Sequence, residues 1–506
     1  MSGAKGQGEG GRLREGPAEE LKEAAFGLEI ADAPILHHGC SLADLGHIVM
    51  LMEVGVVPED AGRRLLALLL ELHEVPVAEF PLDAALEDVY SNREAWVRAR
   101  DEEAAGWLGA GRPRREPATI SYRLAVRDRL LGLAERLTQL VDALLGQAAA
   151  HRDTVMPDYT YLQPATPTSL AHYLLSFAYP VLRDLDRVRA AFDRTDRCPG
   201  GIGNINGTRL PVDRERLAEL LGFAGAIENT RDAMWQVDQP LEVMADLMAV
   251  FLHLDRLAED LQIWNTREFG LAELADRHAR ISLIMPQKKN PYALAFIRGI
   301  TGTMVGRLVS MTSVGKSPSA QMDNRIFALG EVPRSLDAGV RTTRLLAEVV
   351  RGLTFDTELM RERAAEGFIH ATDLAETIMG EGGATYRQAH RLVGLAVRRA
   401  LEEDPQAKDV PASILEEAAR EVLGRPLGIP AEKLATLADP AAVVATRQGL
   451  GGAAAEPVDA MLAECRASLA VHDEFCSAQR RRIAAGEAAL LDVARARSGL
   501  DVPPAS

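Results

Sequence analysis

Aromatic residues are scarce in this chain, 5% of its 506 residues. With few rings and abundant Ala and Leu, the composition favours long helices in close contact over sheet. Cysteine is scarcer still. The four present (Cys40, Cys198, Cys465 and Cys476) have no metal-ligand spacing among them. That argues against a disulfide scaffold or a zinc ribbon and fits reduced thiols in a cytoplasmic protein. Positive charge is also short: 57 Lys and Arg face 73 Asp and Glu, for a net charge of −16. A general nucleic-acid binder takes its affinity from phosphate contacts, so this balance argues against one. It does not exclude a small anionic substrate, which a local cationic cluster can hold. The sequence reads as having no apolar run long enough to span a membrane and no signal-peptide core. The expected location is therefore cytoplasmic, with no membrane partner.

What is present is helical periodicity over a length that allows several layers and a large core. Between 241 and 261, Leu241, Met244, Leu247, Met248, Phe251, Leu254, Leu257 and Leu261 recur at three- and four-residue steps. Val243 and Val250 widen that stripe beyond one face, as in a helix buried in a bundle or between subunits. Similar segments run over about 118–150, 168–195, 292–313 and 331–352. Strand signals are sparse. The reading is an all-α fold: a loosely ordered N-terminus at 1–28, an N-terminal helical domain at 29–116, a central long-helix bundle at 117–354 and a C-terminal helical domain at 355–506. The Gly-rich run from Pro199 to Gly207 is either a plain interhelix loop or backbone that approaches a small ligand. Without a preceding strand it is not a dinucleotide fingerprint.

The most informative run is Ser282-Leu-Ile-Met-Pro-Gln-Lys-Lys-Asn-Pro291. It gathers one hydroxyl, two ammonium groups and an amide. Pro286 and Pro291 keep it out of helix and predict a helix start near Pro291. A hydroxyl beside cations and a helix N-terminus suits proton abstraction next to a carboxylate. A generic cationic turn of this kind would be a surface feature. The Met285–Pro291 string, however, resembles the mobile catalytic loop of the fumarase/aspartase superfamily in its argininosuccinate lyase form. Gly207–Arg214, Glu228–Ala233, Ala371–Ala375, Tyr386–His390 and Gly451-Gly452 resemble further motifs of that branch.

The resemblance implies three helical domains and a homotetramer whose active sites are shared between subunits. It implies a cofactor-independent, metal-free elimination of fumarate from a small carboxylate substrate. Ser282 falls at the family's base position, Lys288 at its carbanion-stabilising lysine and Asn290 at its loop asparagine. Asn92, Gln163, Arg112, Arg114, Arg115, Gln321 and Arg325 fall at or near substrate-binding positions.

The chain departs from the family where substrate would be held. The active-site Thr-His pair is Thr160-Tyr161, and the glutamate that partners the histidine is Ala295. A Ser and an Asn of the arginine-rich stretch are Pro113 and Arg115, and a pocket arginine is Val237. A histidine and its carboxylate have gone together, which reads as one coherent change of substrate. The expectation is an amine eliminated from an N-substituted aspartate other than argininosuccinate. Argininosuccinate lyase proper and a non-catalytic homologue are the alternatives.

Overall fold

The computed structural model describes residues 15–321 and 323–500, without the side chains of 323–325 and 431. The expected helices are present, four of them longer than expected and Leu170–Thr195 starting two residues later. The bundle consists of Arg115–Ala150, Leu170–Thr195, Asp238–Trp264, Tyr292–Gly315 and Asp323–Arg351. Their apolar stripes close on one large core that includes Leu137, Leu144, Leu174, Leu185, Leu247, Phe251, Leu257, Ile297 and Leu346.

A second core lies among Ala33–Glu53, Glu59–Glu74 and Val89–Arg98. A third joins Ala371–Glu381, Tyr386–Glu403 and Ala412–Leu423. The last helix, Ala455–Ser498, does not stay with that third core. It lies along Arg115–Ala150 and ends with Leu490 and Ala494 in the second core. Spatial grouping and chain order therefore part company after residue 455.

Two sequence readings are corrected here. By length and mean hydropathy, Ala33–Glu53 is apolar enough to cross a membrane, yet 89% of its apolar window is buried against protein. Asp44 and His47 lie within it, fully buried, so it is a core helix. The second correction is a β-hairpin that periodicity did not reveal. β1 (Val155–Thr160) and β2 (Gln163–Ser169) pair antiparallel, with Thr160 opposite Gln163. Two further two-stranded ladders join β3 (Ala272–Glu273) to β6 (Thr354–Phe355) and β4 (Arg280–Ile281) to β5 (Lys289–Asn290).

The bundle has two ends, and side-chain contacts fix which loops belong to each. At one end Arg123 donates to the carbonyls of Arg194 and Thr195, and Gln239 donates to Thr195. At the other, Gln147 donates to the carbonyls of Val350 and Leu353, and Tyr173 stacks on Trp264. A helix rises about 1.5 Å per residue, so the 27-residue Asp238–Trp264 helix separates the two ends by about 40 Å.

Candidate active site

The Ser282 segment is a short hairpin leaving the second of these ends. Arg280 pairs with Asn290 and Ile281 with Lys289. Inside the hairpin the Ser282 N–H donates to the Lys288 carbonyl at 3.4 Å and the Lys288 N–H to the Met285 carbonyl at 3.1 Å. The Met285 N–H donates to Ser282 Oγ at 3.0 Å. A donor aimed at Oγ favours its oxyanion form. Pro291 follows as the residue before helix Tyr292–Gly315, as the proline spacing predicts.

The two lysines have different surroundings. Lys289 Nζ lies 2.8 Å from both Glu273 and Asp276. Its hydrogen bonds to those carboxylates raise its pKa. Lys288 is exposed and has no ion-pair partner among the described residues. Of the two lysines, Lys288 is the one without a carboxylate partner among the described residues. Asn290 Nδ2 donates to the Arg280 carbonyl at 3.0 Å, which ties the amide to the hairpin's own backbone. Leu283 is 99% exposed and Ile284 86%. An apolar tip left in water is suited to closing on another surface.

Tyr161 belongs to the same end of the bundle, because the β1–β2 hairpin follows helix Arg115–Ala150 and Tyr159 stacks on Phe269. It occupies the two-residue turn with Leu162. Tyr161 has φ of 55° and Leu162 of 57°, both left-handed. That is the type I′ geometry that hairpins favour, but in residue types that adopt it at a cost. Tyr161 is 99% exposed. Thr160 and Gln163 flank it and are exposed, and Gln163 donates to the Leu162 carbonyl.

The remaining candidates sit at the opposite end. Arg112 and Asn92, expected to hold substrate, are both buried. The Arg112 guanidinium has no exposed surface and donates to Asp44 at 2.6 Å. Asn92 is buried and exchanges hydrogen bonds with the backbone of Asp83 while donating to the Asp88 carbonyl. Arg114 pairs with Glu87, and Arg115 with Glu29 and Asp88. Gln321 is exposed, near Ser319, which accepts from Arg231. The Arg325 side chain lies outside the described residues. Val237 and Asp232 line a cavity of about 230 Å³ with Arg123 and Gln239.

The Gly-rich loop also resolves here. The N–H groups of Gly201 and Ile202 donate to the buried carboxylate of Glu116 at 3.0 and 3.1 Å. A protein carboxylate fills that cradle, so this part of the loop is a structural anchor. Gly203 has φ of 62°, and a Cβ there would stand 2.3 Å from the Gly207 carbonyl oxygen. Burial raises the pKa of Glu116, while the two N–H groups and Arg112 oppose that shift.

A lyase family profile matches residues 54–306, and an argininosuccinate lyase C-terminal profile matches 368–445. The argininosuccinate lyase of Methanothermobacter thermautotrophicus is 34% identical over 464 residues, which is 90% of this chain and 97% of that protein. The chain belongs to the argininosuccinate lyase branch of the fumarase/aspartase superfamily. The argininosuccinate lyase of Methanosarcina acetivorans is 32% identical and covers 96% of this chain and 97% of its own length. A solved EDDS lyase variant with bound fumarate superposes with a TM-score of 0.86 at 29% identity, covering 96% of this chain and 97% of that one. As a member of this branch the chain is a carbon–nitrogen lyase that releases fumarate.

Two features of the candidate site carry no signal in the sequence. One is Leu162, whose left-handed backbone shares in presenting Tyr161; no Asn-Gly or Asp-Gly signal marked the turn. The other is the Glu273/Asp276 clamp that removes Lys289 from contention, a pairing across 13 to 16 residues of irregular chain.

Proposed function

We propose that this lyase eliminates an amine from an N-substituted aspartate other than argininosuccinate, in a homotetramer whose sites combine segments of different subunits. One observation supports the reading. The hairpin keeps Ser282, Lys288 and Asn290, with Ser282 Oγ accepting a backbone N–H and Lys288 without an ion-pair partner among the described residues, while the histidine–glutamate couple expected from the family is Tyr161 and Ala295.

In this reading Ser282 Oγ, as its alkoxide, takes the proton from the carbon next to the substrate carboxylate. The electron pair left behind spreads onto the carboxylate oxygens. Lys288 and the Asn290 amide stabilise that charge once the hairpin closes, the amide exchanging its backbone acceptor for substrate. Preorganised donors aimed at developing charge lower such a barrier most. The C–N bond then breaks, and the departing nitrogen takes a proton. The Tyr161 hydroxyl can donate a hydrogen bond to the departing group. A leaving amine less basic than a guanidinium asks less of it.

The separation of about 40 Å between the bundle ends supports the composite site. Ser282 and Tyr161 lie at one end, and Arg114, Arg115, Asp232 and Gln321 at the other. A single chain cannot bring them around one small substrate. The outward face of helix Tyr292–Gly315 fits burial by a second copy. It exposes Phe296, Val305 and Val309, and a Cβ added at Gly299, Gly302 or Gly306 would meet nothing within 4 Å.

The test is a panel of N-substituted aspartates, argininosuccinate among them, scored by fumarate release. The expected result is turnover of another adduct, with argininosuccinate poor or inert. Efficient cleavage of argininosuccinate would overturn the changed-substrate reading.

A further inference from the structure

Three helices that are remote in sequence converge on the flank of the second core. His38 comes from Ala33–Glu53, His73 from the last turn of Glu59–Glu74 and Glu487 from Ala455–Ser498. His38 Nε2 stands 3.2 Å from Glu487 Oε1, and the His38 and His73 ring centroids are 5.4 Å apart. One ligating atom from each of the three residues lies within 4.8 Å of the other two. His73 Nδ1 is buried and has no hydrogen-bond partner among the described residues.

We propose that His38, His73 and Glu487 form a divalent-metal site of the zinc class that fastens the end of the last helix to the N-terminal core. Two imidazoles and one carboxylate are a donor set that suits zinc. Metal–donor bonds of about 2.0–2.2 Å in a tetrahedron put neighbouring donors about 3.3 Å apart. The His38–Glu487 edge already has that spacing. The widest separation in the cluster needs to shorten by about 1.5 Å, within reach of a small rotation of an imidazole at the surface. The His38 side chain is 61% exposed, which leaves a path for the ion and a fourth position for water.

Local charge permits a cation. The nearby guanidinium of Arg127 is paired with Asp196 at 2.8 Å, and that of Arg93 with Asp44. The site also has a structural task to perform. Helix Ala455–Ser498 is 44 residues long, and around Glu487 it meets the second core through Leu490 and Ala494, with Leu491 and Val493 packed beside them, and through the close approach of Gly486 to Gly222. A metal there would cross-link three helices at the point where this long arm arrives. Seen as sequence, two histidines 35 residues apart and a glutamate 414 residues further on give no ligand spacing.

The test uses untagged full-length protein stripped with a chelator. Co²⁺ is titrated as a spectroscopic probe and then displaced by Zn²⁺, and thermal unfolding is followed with and without Zn²⁺. One Co²⁺ per chain with the intense visible bands of a tetrahedral complex, and a rise in Tm with Zn²⁺, are expected. His73→Gln and Glu487→Gln should each weaken binding at least tenfold and abolish the Tm rise. His38→Gln, at the more exposed ligand, repeats the test with least risk to folding, and circular dichroism without metal confirms that each variant is folded. A weak, water-like Co²⁺ spectrum, or binding and Tm shifts that persist in all three variants, would overturn the site.

Discussion

The Tyr161-Leu162 turn allows stability and activity to be separated in one experiment. Both residues hold a left-handed backbone, which costs an ordinary L-residue about 1–2 kcal/mol. Replacing them with Asn-Gly supplies the residues that a type I′ turn prefers. Glycine's greater freedom in the unfolded chain returns about 0.5–1 kcal/mol of the gain. The net expectation is a hairpin stabilised by about 1–2 kcal/mol. In a chain of this size that moves the global Tm little. Hydrogen exchange is the sharper measure, because the local opening of β1 and β2 should fall about tenfold. The same change removes the Tyr161 ring and hydroxyl from the tip. A positioned proton donor contributes about 10²–10⁴ in rate, so fumarate release should fall by at least 10² as protection rises. Tyr161→Phe, which keeps the ring, should show the activity loss without the gain in protection. Unchanged turnover in the Asn-Gly variant would show that the hairpin tip takes no part in the site. Reduced protection would refute the reading of the turn as strained.

Ser282→Ala should lower fumarate release by at least about 10², the share of a positioned base, with assembly by light scattering unchanged. Lys288→Met should lower kcat by about 10² with little change in KM. Lys289→Met, which frees Glu273 and Asp276, should act more weakly and through the order of the hairpin; equal effects would contradict the assignment. Asp246 supplies a pH-dependent test of stability. Burial, then Glu242, raises its pKa from 3.8 to about 6. The folded state thus retains a proton that the unfolded state has released. Its stabilising contribution is full below 3.8 and is lost as pH rises through about 6. Asp246→Asn should therefore raise Tm at pH 8 and lose that advantage near pH 4; an advantage independent of pH would point to packing instead.

The bundle was legible because its helices are long and their apolar positions repeat. The Asp238–Trp264 helix was evident from the three- and four-residue spacing of its apolar residues, and two prolines marked the Ser282 loop as non-helical with a helix to follow. Periodicity could not show the β1–β2 hairpin, whose turn carries Tyr-Leu where the signal would be Asn-Gly. Nor could it show Arg112 facing Asp44 across 68 residues. The family resemblance marks Arg112 as a substrate-binding position, but its pairing with Asp44 belongs to packing between helices. The same limit hid the carboxylate under the glycine loop, because Glu116 precedes Gly201 by 85 residues.

The two-ended bundle has a genetic consequence. If each site takes Ser282 from one chain and the Asp232 segment from another, two chains with different lesions can restore one another. Coexpression of a Ser282→Ala chain with one damaged near Asp232 would create some sites that draw both intact segments, although neither parent has any. Harm in a mixed population would then depend on which end of the rod each allele damages, and two alleles with lesions at the same end would not rescue each other.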